Sequence, residues 1–379
     1  MQALGCVLLF LAVQQMVPAY SEGTWCYDSQ DPKCGSTLWT LDLVPLGPTH
    51  WKELAPACGG PTQSPINIDL HLVQKDSTLQ PFIFQGYNLA PPGPWSLEND
   101  GHTVLLHMDT GLQNGLEIWG AGLPPPAYRA LQLHFHWGAP GHTGSEHSLD
   151  GQRYSMEMHI VHINKKYQSM EEARRHPDGL AVLAVLLAEQ DQDNANFSAI
   201  VLGLKNVSIP GVSVNMTSTF PLSSLLPSPL GLLRYYRYSG SLTTPGCEPS
   251  VLWTVFENAV PIGRVQVGSL PLPWARLPTS DGFNPPLLAL LPPHLNPSFF
   301  PLNTQVAQFQ TVPQAGMLGL HPEPLTDNFR PLQPLGGRSI LASPKASIRA
   351  AAPPGSPILA GVHRALLVLG LSLVVWQDP

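Results

Sequence analysis

The chain has 379 residues, of which 12% are charged, and carries a formal net charge of −7. That balance, with no basic cluster, offers no electrostatic attraction to nucleic acid and excludes it as a partner. Length alone allows two or three domains. With 42 prolines, 33 glycines and little long helical periodicity, the composition favours one large, mostly β domain with short helices, over residues 22–345.

In chain order, the first signal is for export. Residues 5–13 form a short apolar run, and Val17-Pro-Ala19 offers a small-residue cleavage site, so residues 1–19 are expected to leave as a signal peptide. No Lys or Arg precedes the run, unlike the usual basic start. Of the five cysteines, Cys6 departs with the leader. Cys26, Cys34, Cys58 and Cys247 remain as an even set, which fits two disulfides in an oxidising compartment with the pairing open.

The stretch Leu131-Gln-Leu-His-Phe-His-Trp-Gly138 alternates with period two and reads as a strand. His134 and His136 then share one face, about 6–7 Å apart. Tyr154-Ser-Met-Glu-Met-His-Ile-Val161 also alternates and puts Glu157, His159 and Val161 on one face of what reads as the neighbouring strand. A single His-x-His is usually a packing pair. A third histidine, with Gln132 and Glu157 each two residues before one of the three, points to a tetrahedral metal site with nitrogens about 2.0–2.1 Å from the ion.

Residues 169–175 carry the main helical pattern, and residues 181–187 are a continuous apolar run expected as a central buried strand. Asn196-Phe-Ser, Asn206-Val-Ser and Asn215-Met-Thr are three glycosylation sequons crowded together. Residues 268–306 hold nine prolines but only two charges, Arg276 and Asp281. Such density forbids a continuous helix or internal strand, so this segment is read as an irregular excursion. Its apolar run, residues 287–291, is expected to lower stability or secretion if exposed. Near the C-terminus, twelve residues from Ala365 to Trp376 form an apolar tail, short of the roughly 20 of a membrane-spanning helix. Small residues (Ala350, Ala351, Ala352, Gly355, Ser356) precede it. Residues 346–379 therefore read as a glycosylphosphatidylinositol attachment signal with a removed tail, placing the mature protein on the extracellular face of the plasma membrane.

Gln132-Leu-His-Phe-His-Trp-Gly138, Gly144-Ser-Glu-His147 and Glu157-Met-His159 resemble the α-class carbonic anhydrases. So do Gln63-Ser-Pro-Ile-Asn67, Asn99-Asp-Gly-His102 and Ser241-Leu-Thr-Thr-Pro245, in family order. The resemblance is nearest to the extracellular, lipid-anchored branch. It implies a single domain around a large twisted, mainly antiparallel sheet, a monomer, and reversible hydration of CO2 to bicarbonate and a proton at Zn2+. The implied metal ligands are His134, His136 and His159, oriented by Gln132, Asn328 (through its carbonyl) and Glu157. Thr243 is implied to aim the attacking oxygen and pass its proton to Glu146. Val161, Val182, Leu242, Trp253 and Thr244, with Thr243, are implied to surround the substrate, and His102 to carry protons out. Cys26 is implied to pair with Cys34, and Cys58 with Cys247. Asp100 and Leu105 depart from the polar residues that usually line the proton path, and the 268–306 insertion departs from the family altogether. The competing expectations are a non-catalytic module of the same fold, a chain that fails to mature because of the insertion, and a zinc esterase.

Overall fold

The computed structural model describes residues 25–28, 47–108, 115–263, 305–314 and 324–350. The expected leader, Cys34, residues 268–304 of the proline-rich excursion and the attachment signal beyond residue 350 lie outside the described residues.

Strands dominate. The first eight are β1 (Asn67–Ile68), β2 (Gln74–Lys75), β3 (Phe82–Gln85), β4 (Ser96–Asn99), β5 (Val104–His107), β6 (Glu117–Gly120), β7 (Tyr128–Trp137) and β8 (Ser148–Leu149). They are followed by β9 (Met156–Asn164), β10 (Leu180–Gln190), β11 (Val212–Asn215), β12 (Tyr235–Gly240), β13 (Val251–Phe256), β14 (Val260–Gly263) and β15 (Leu341–Ala342). The α-helices are short: α1 (Trp51–Leu54), α2 (Met170–Ala173), α3 (Ser198–Leu204) and α4 (Gln305–Phe309). Thirteen strands form one sheet, with the main order β11-β4-β5-β7-β9-β10-β13-β12-β15-β2. Most pairings are antiparallel, whereas β10 runs parallel to both β13 and β14.

Burial explains the long central strands. All nine residues of β9 are buried, and β10 carries the apolar run seen in the sequence, covered on both faces as a strand beside parallel neighbours must be. Alternate residues feed two cores. Leu133, Phe135, Met158, Ile160 and Leu183 pack on one face. Val161, Val182, Tyr238 and Trp253 pack on the other, the face of the histidines. Helix α2 starts where the pattern places it, because the Ser169 side chain accepts from the Glu172 N–H and satisfies a free donor of the first turn.

The proline-rich excursion leaves and rejoins the domain at one place. The Gly263 N–H donates to Gln305 Oε1 at 3.1 Å, so the residues flanking 264–304 touch. Gln305 and Val306, the last two residues of the 268–306 segment, already belong to α4 and are buried. Phe309 then packs 4.7 Å from Phe135 and 5.5 Å from Trp137, ring to ring, directly behind the strand that bears His134 and His136. No helix among the described residues is long and apolar enough to cross a membrane.

Candidate metal centre

The three histidines converge because two strands pair in register. In the antiparallel β7–β9 ladder His134 lies opposite His159, and His136 opposite Glu157. Side chains from directly opposed positions share a face. His136 Nε2 lies 3.1 Å from His159 Nδ1, which in turn lies 3.3 Å from His134 Nε2.

The outward nitrogen of each ring fixes its tautomer. His134 Nδ1–H donates to Gln132 Oε1 at 2.9 Å, and His136 Nδ1–H to the Asn328 carbonyl at 2.8 Å. His159 Nε2–H donates to Glu157 Oε1 at 2.7 Å. The three inward nitrogens therefore present lone pairs to one another at hydrogen-bond distance with no proton between them, a repulsive arrangement that a cation relieves. Metal–nitrogen bonds of about 2.0–2.1 Å in a tetrahedron put ligand nitrogens about 3.3–3.4 Å apart, close to the observed spacing. The ligand atoms of His134, His136 and His159 all lie within 4.8 Å of one another. Burial first, and then the neighbouring imidazoles, push His134 well below the usual histidine range; burial lowers His136 as well. Both are neutral, as ligands must be.

Glu146 is fully buried beside this cluster. Its Oε1 accepts from the Arg330 N–H at 2.8 Å. Its Oε2 lies 3.5 Å from His136 Nε2 and 4.0 Å from His159 Nδ1. That oxygen has no hydrogen-bond partner among the described residues, the Thr243 hydroxyl included. Its position depends on Gly144, where a Cβ would lie 1.9 Å from the Gly138 nitrogen, so only glycine lets the Gly144–His147 stretch run against β7.

Three of the four apolar wall residues form one cross-strand row. Val161 faces Val182, and Val182 faces Trp253. The Trp253 indole meets the His159 ring edge-on at 4.8 Å. Leu242, Thr243 and Thr244 follow on the turn after β12, which is tied down by the Cys58–Cys247 disulfide. Its expected companion pairing, Cys26 with Cys34, involves a residue outside the described set. His102 sits 7% exposed at the end of the Asp-Gly-His turn. Its ring stacks on Trp25 at 3.8 Å. The backbone N–H groups of His102 and Thr103 donate to Asp100 Oδ1, and burial pushes the Asp100 carboxyl up. Asn328 links these parts. Its side chain accepts from the Trp137 N–H and donates to the carbonyls of His102 and Phe135.

Sequence reasoning left one set of residues unassigned. Behind His159, Glu157 also accepts from the backbone N–H and ring Nδ1–H of His147, both at 2.7 Å. Burial alone raises the Glu157 carboxyl, but His147 and His159 together hold it well below the usual carboxylate range. His147 Nε2 meets the Tyr238 hydroxyl at 2.7 Å, and Tyr238 donates to Ser64 Oγ at 2.9 Å. Ser64 Oγ accepts from the Ser241 N–H, two residues before Thr243. A buried chain thus joins a triad histidine to the threonine turn. Its available signal was that His147 and Ser64 fall inside quoted motifs.

The residue pattern of eukaryotic-type carbonic anhydrases matches residues 46–272. This chain belongs to that family. Mouse carbonic anhydrase 15 is 60% identical over 379 residues, covering all of both chains. Human carbonic anhydrase 12 is 41% identical over 61% of this chain and 63% of its own length, and rabbit carbonic anhydrase 4 is 39% identical over 70% and 80%. The mostly β fold around one large sheet is the one the family resemblance implied, and the chain is a carbonic anhydrase by descent. The family match stops at residue 272, just inside the proline-rich excursion.

Proposed function

We propose that this carbonic anhydrase reversibly hydrates CO2 to bicarbonate and a proton at a zinc ion held by His134, His136 and His159. The observation that carries this reading is the trio of inward lone pairs 3.1 and 3.3 Å apart, each ring locked by an outer acceptor. A bound zinc ion supplies a Lewis acid that makes a water acidic, with a pKa of about 7 in carbonic anhydrases as a class.

The chain's own groups do the rest. Gln132, Asn328 and Glu157 hold the three rings in the ligand tautomer. The Val161–Val182–Trp253 row gives an apolar wall beside His159, suited to a small nonpolar substrate and unfavourable to competing water. Thr243 orients the attacking oxygen by accepting a hydrogen bond from it and donating its own hydroxyl hydrogen bond to Glu146, whose Oε2 has no other partner among the described residues. His102 passes protons outward. Disulfides, glycans on the three exposed sequon asparagines Asn196, Asn206 and Asn215 and a lipid anchor attached within residues 346–379 support a mature domain, residues 22–345, that acts outside the cell, and we read it as a monomer.

The test is stopped-flow CO2 hydration on purified protein with zinc assayed alongside. One zinc per chain with hydration lost in His134→Ala is expected. Stoichiometric zinc without hydration favours the non-catalytic module instead.

A further inference from the structure

The catalytic face of the sheet carries a further, half-exposed histidine that the reading above does not use. On β5, Leu105 lies opposite His134, and His107 lies opposite Gln132, the residue that accepts from His134. His107 therefore projects from the same face as the triad. As the diagonal neighbour of His134 it is about 7–8 Å away across the ladder. On the next strand Ser96 faces His107, and beyond it Asn215 faces Ser96. The row Gln132–His107–Ser96–Asn215 runs from the metal centre to the solvent edge, where Asn215 is exposed.

His107 is not alone there. Its Nε2 lies 2.6 Å from Glu98 Oε2, with the two side chains 40% and 31% exposed. Glu98 is the titratable group facing it from β4; its direct register partners, Ser96 and Gln132, do not titrate. His102, by contrast, is 7% exposed beneath the Trp25 indole. His102 is thus largely covered, whereas the His107 side chain is 40% exposed to solvent.

We propose that His107 with Glu98 is a second proton exit for the hydration reaction, working beside His102. This rests on the reading of the triad as the reaction centre. Imidazole takes up and returns protons near neutral pH. Nδ1 of His107 accepts a proton from water on the catalytic face while its Nε2–H passes to Glu98 Oε2. The carboxyl hands that proton to buffer, and the ring returns to its starting tautomer by exchange with solvent. No proton is gained or lost by the pair over a cycle.

The experiment compares zinc-loaded parent, His107→Gln, Glu98→Gln, His102→Ala and the His102→Ala/His107→Gln double variant in weak and concentrated buffer. In weak buffer His107→Gln and Glu98→Gln are expected to lower kcat several-fold. The double variant should lose on the order of 10²-fold, the lower end of what a positioned acid–base group supplies. kcat/KM should stay at the parent value, because proton exit follows hydration. Concentrated imidazole should restore kcat, and zinc content and Tm should match the parent. An active parent with His107→Gln unchanged in weak buffer overturns the assignment alone. So does a fall that imidazole does not rescue, or one shared by kcat/KM, which marks a structural role. A zinc-loaded parent that hydrates no CO2 overturns the reading of the site and this exit with it.

Discussion

Glu157 and Gln132 both accept from a triad histidine, yet their loss should differ in size. Glu157 is fully buried, charged, and accepts three hydrogen bonds, from His159 Nε2–H and from the ring and backbone of His147, all at 2.7 Å. Glu157→Gln keeps the volume but removes the charge and turns an N–H group toward at least one donor. His159 then loses both its orienting anion and part of its basicity toward a metal. Gln132 is neutral, partly exposed, and accepts one ring bond at 2.9 Å. Loss of a group that orients a metal-bound histidine typically costs 10–100-fold in metal affinity, or about 1.4–2.7 kcal/mol. Glu157→Gln should fall near the upper end and Gln132→Ala near the lower. Competition for zinc against a chelator of known affinity reads both values without any turnover. The reasoning is refuted if Glu157→Gln binds zinc as the parent does, or if Gln132→Ala is the weaker binder.

His162 accepts from the Tyr87 hydroxyl at Nε2 and donates from Nδ1 to the carbonyls of Ile160 and Ala181, and burial lowers it from 6.5 to about 4. Between those values the unfolded chain binds a proton that the folded one rejects. Stability should therefore fall as pH drops from 6.5 to 4, by roughly 3 kcal/mol in all; urea denaturation of parent and His162→Phe checks this, and equal pH slopes would falsify it. Phe309→Ala empties the space behind Phe135 and Trp137 and should cost about 3–5 kcal/mol, read by the same denaturation; a loss under 1 kcal/mol means that α4 does not support the ligand strand. Because Gly263 and Gln305 touch, replacing residues 264–304 with a short linker should preserve zinc stoichiometry and raise secreted yield. A chain that no longer folds after this deletion shows the excursion to be structural.

The triad was legible because each histidine sits in an alternating strand and the strands are neighbours in both sequence and space. Gln132 and Glu157 were legible for the same reason, each two residues from its histidine. Asn328 carries no local pattern, since it serves His136 through a backbone carbonyl 192 residues away; only the family resemblance reached it. The His147–Tyr238–Ser64 chain spans 91 and 174 residues between partners, and no periodicity encodes such contacts. Nor does anything near His102 announce that Trp25, far back in the chain, covers it. The two-residue strands β1, β2, β8 and β15 are too short for a period of two to show. In each case the missing information is the tertiary partner, not the residue type.

Everything functional here depends on three neutral imidazoles meeting one cation while a fourth position stays open. X-ray absorption at the zinc edge on the purified protein measures this directly. Three nitrogen neighbours at about 2.0–2.1 Å and one exchangeable oxygen are predicted. A shell that includes sulfur, or a fourth ligand from the protein that does not exchange with solvent, contradicts the account.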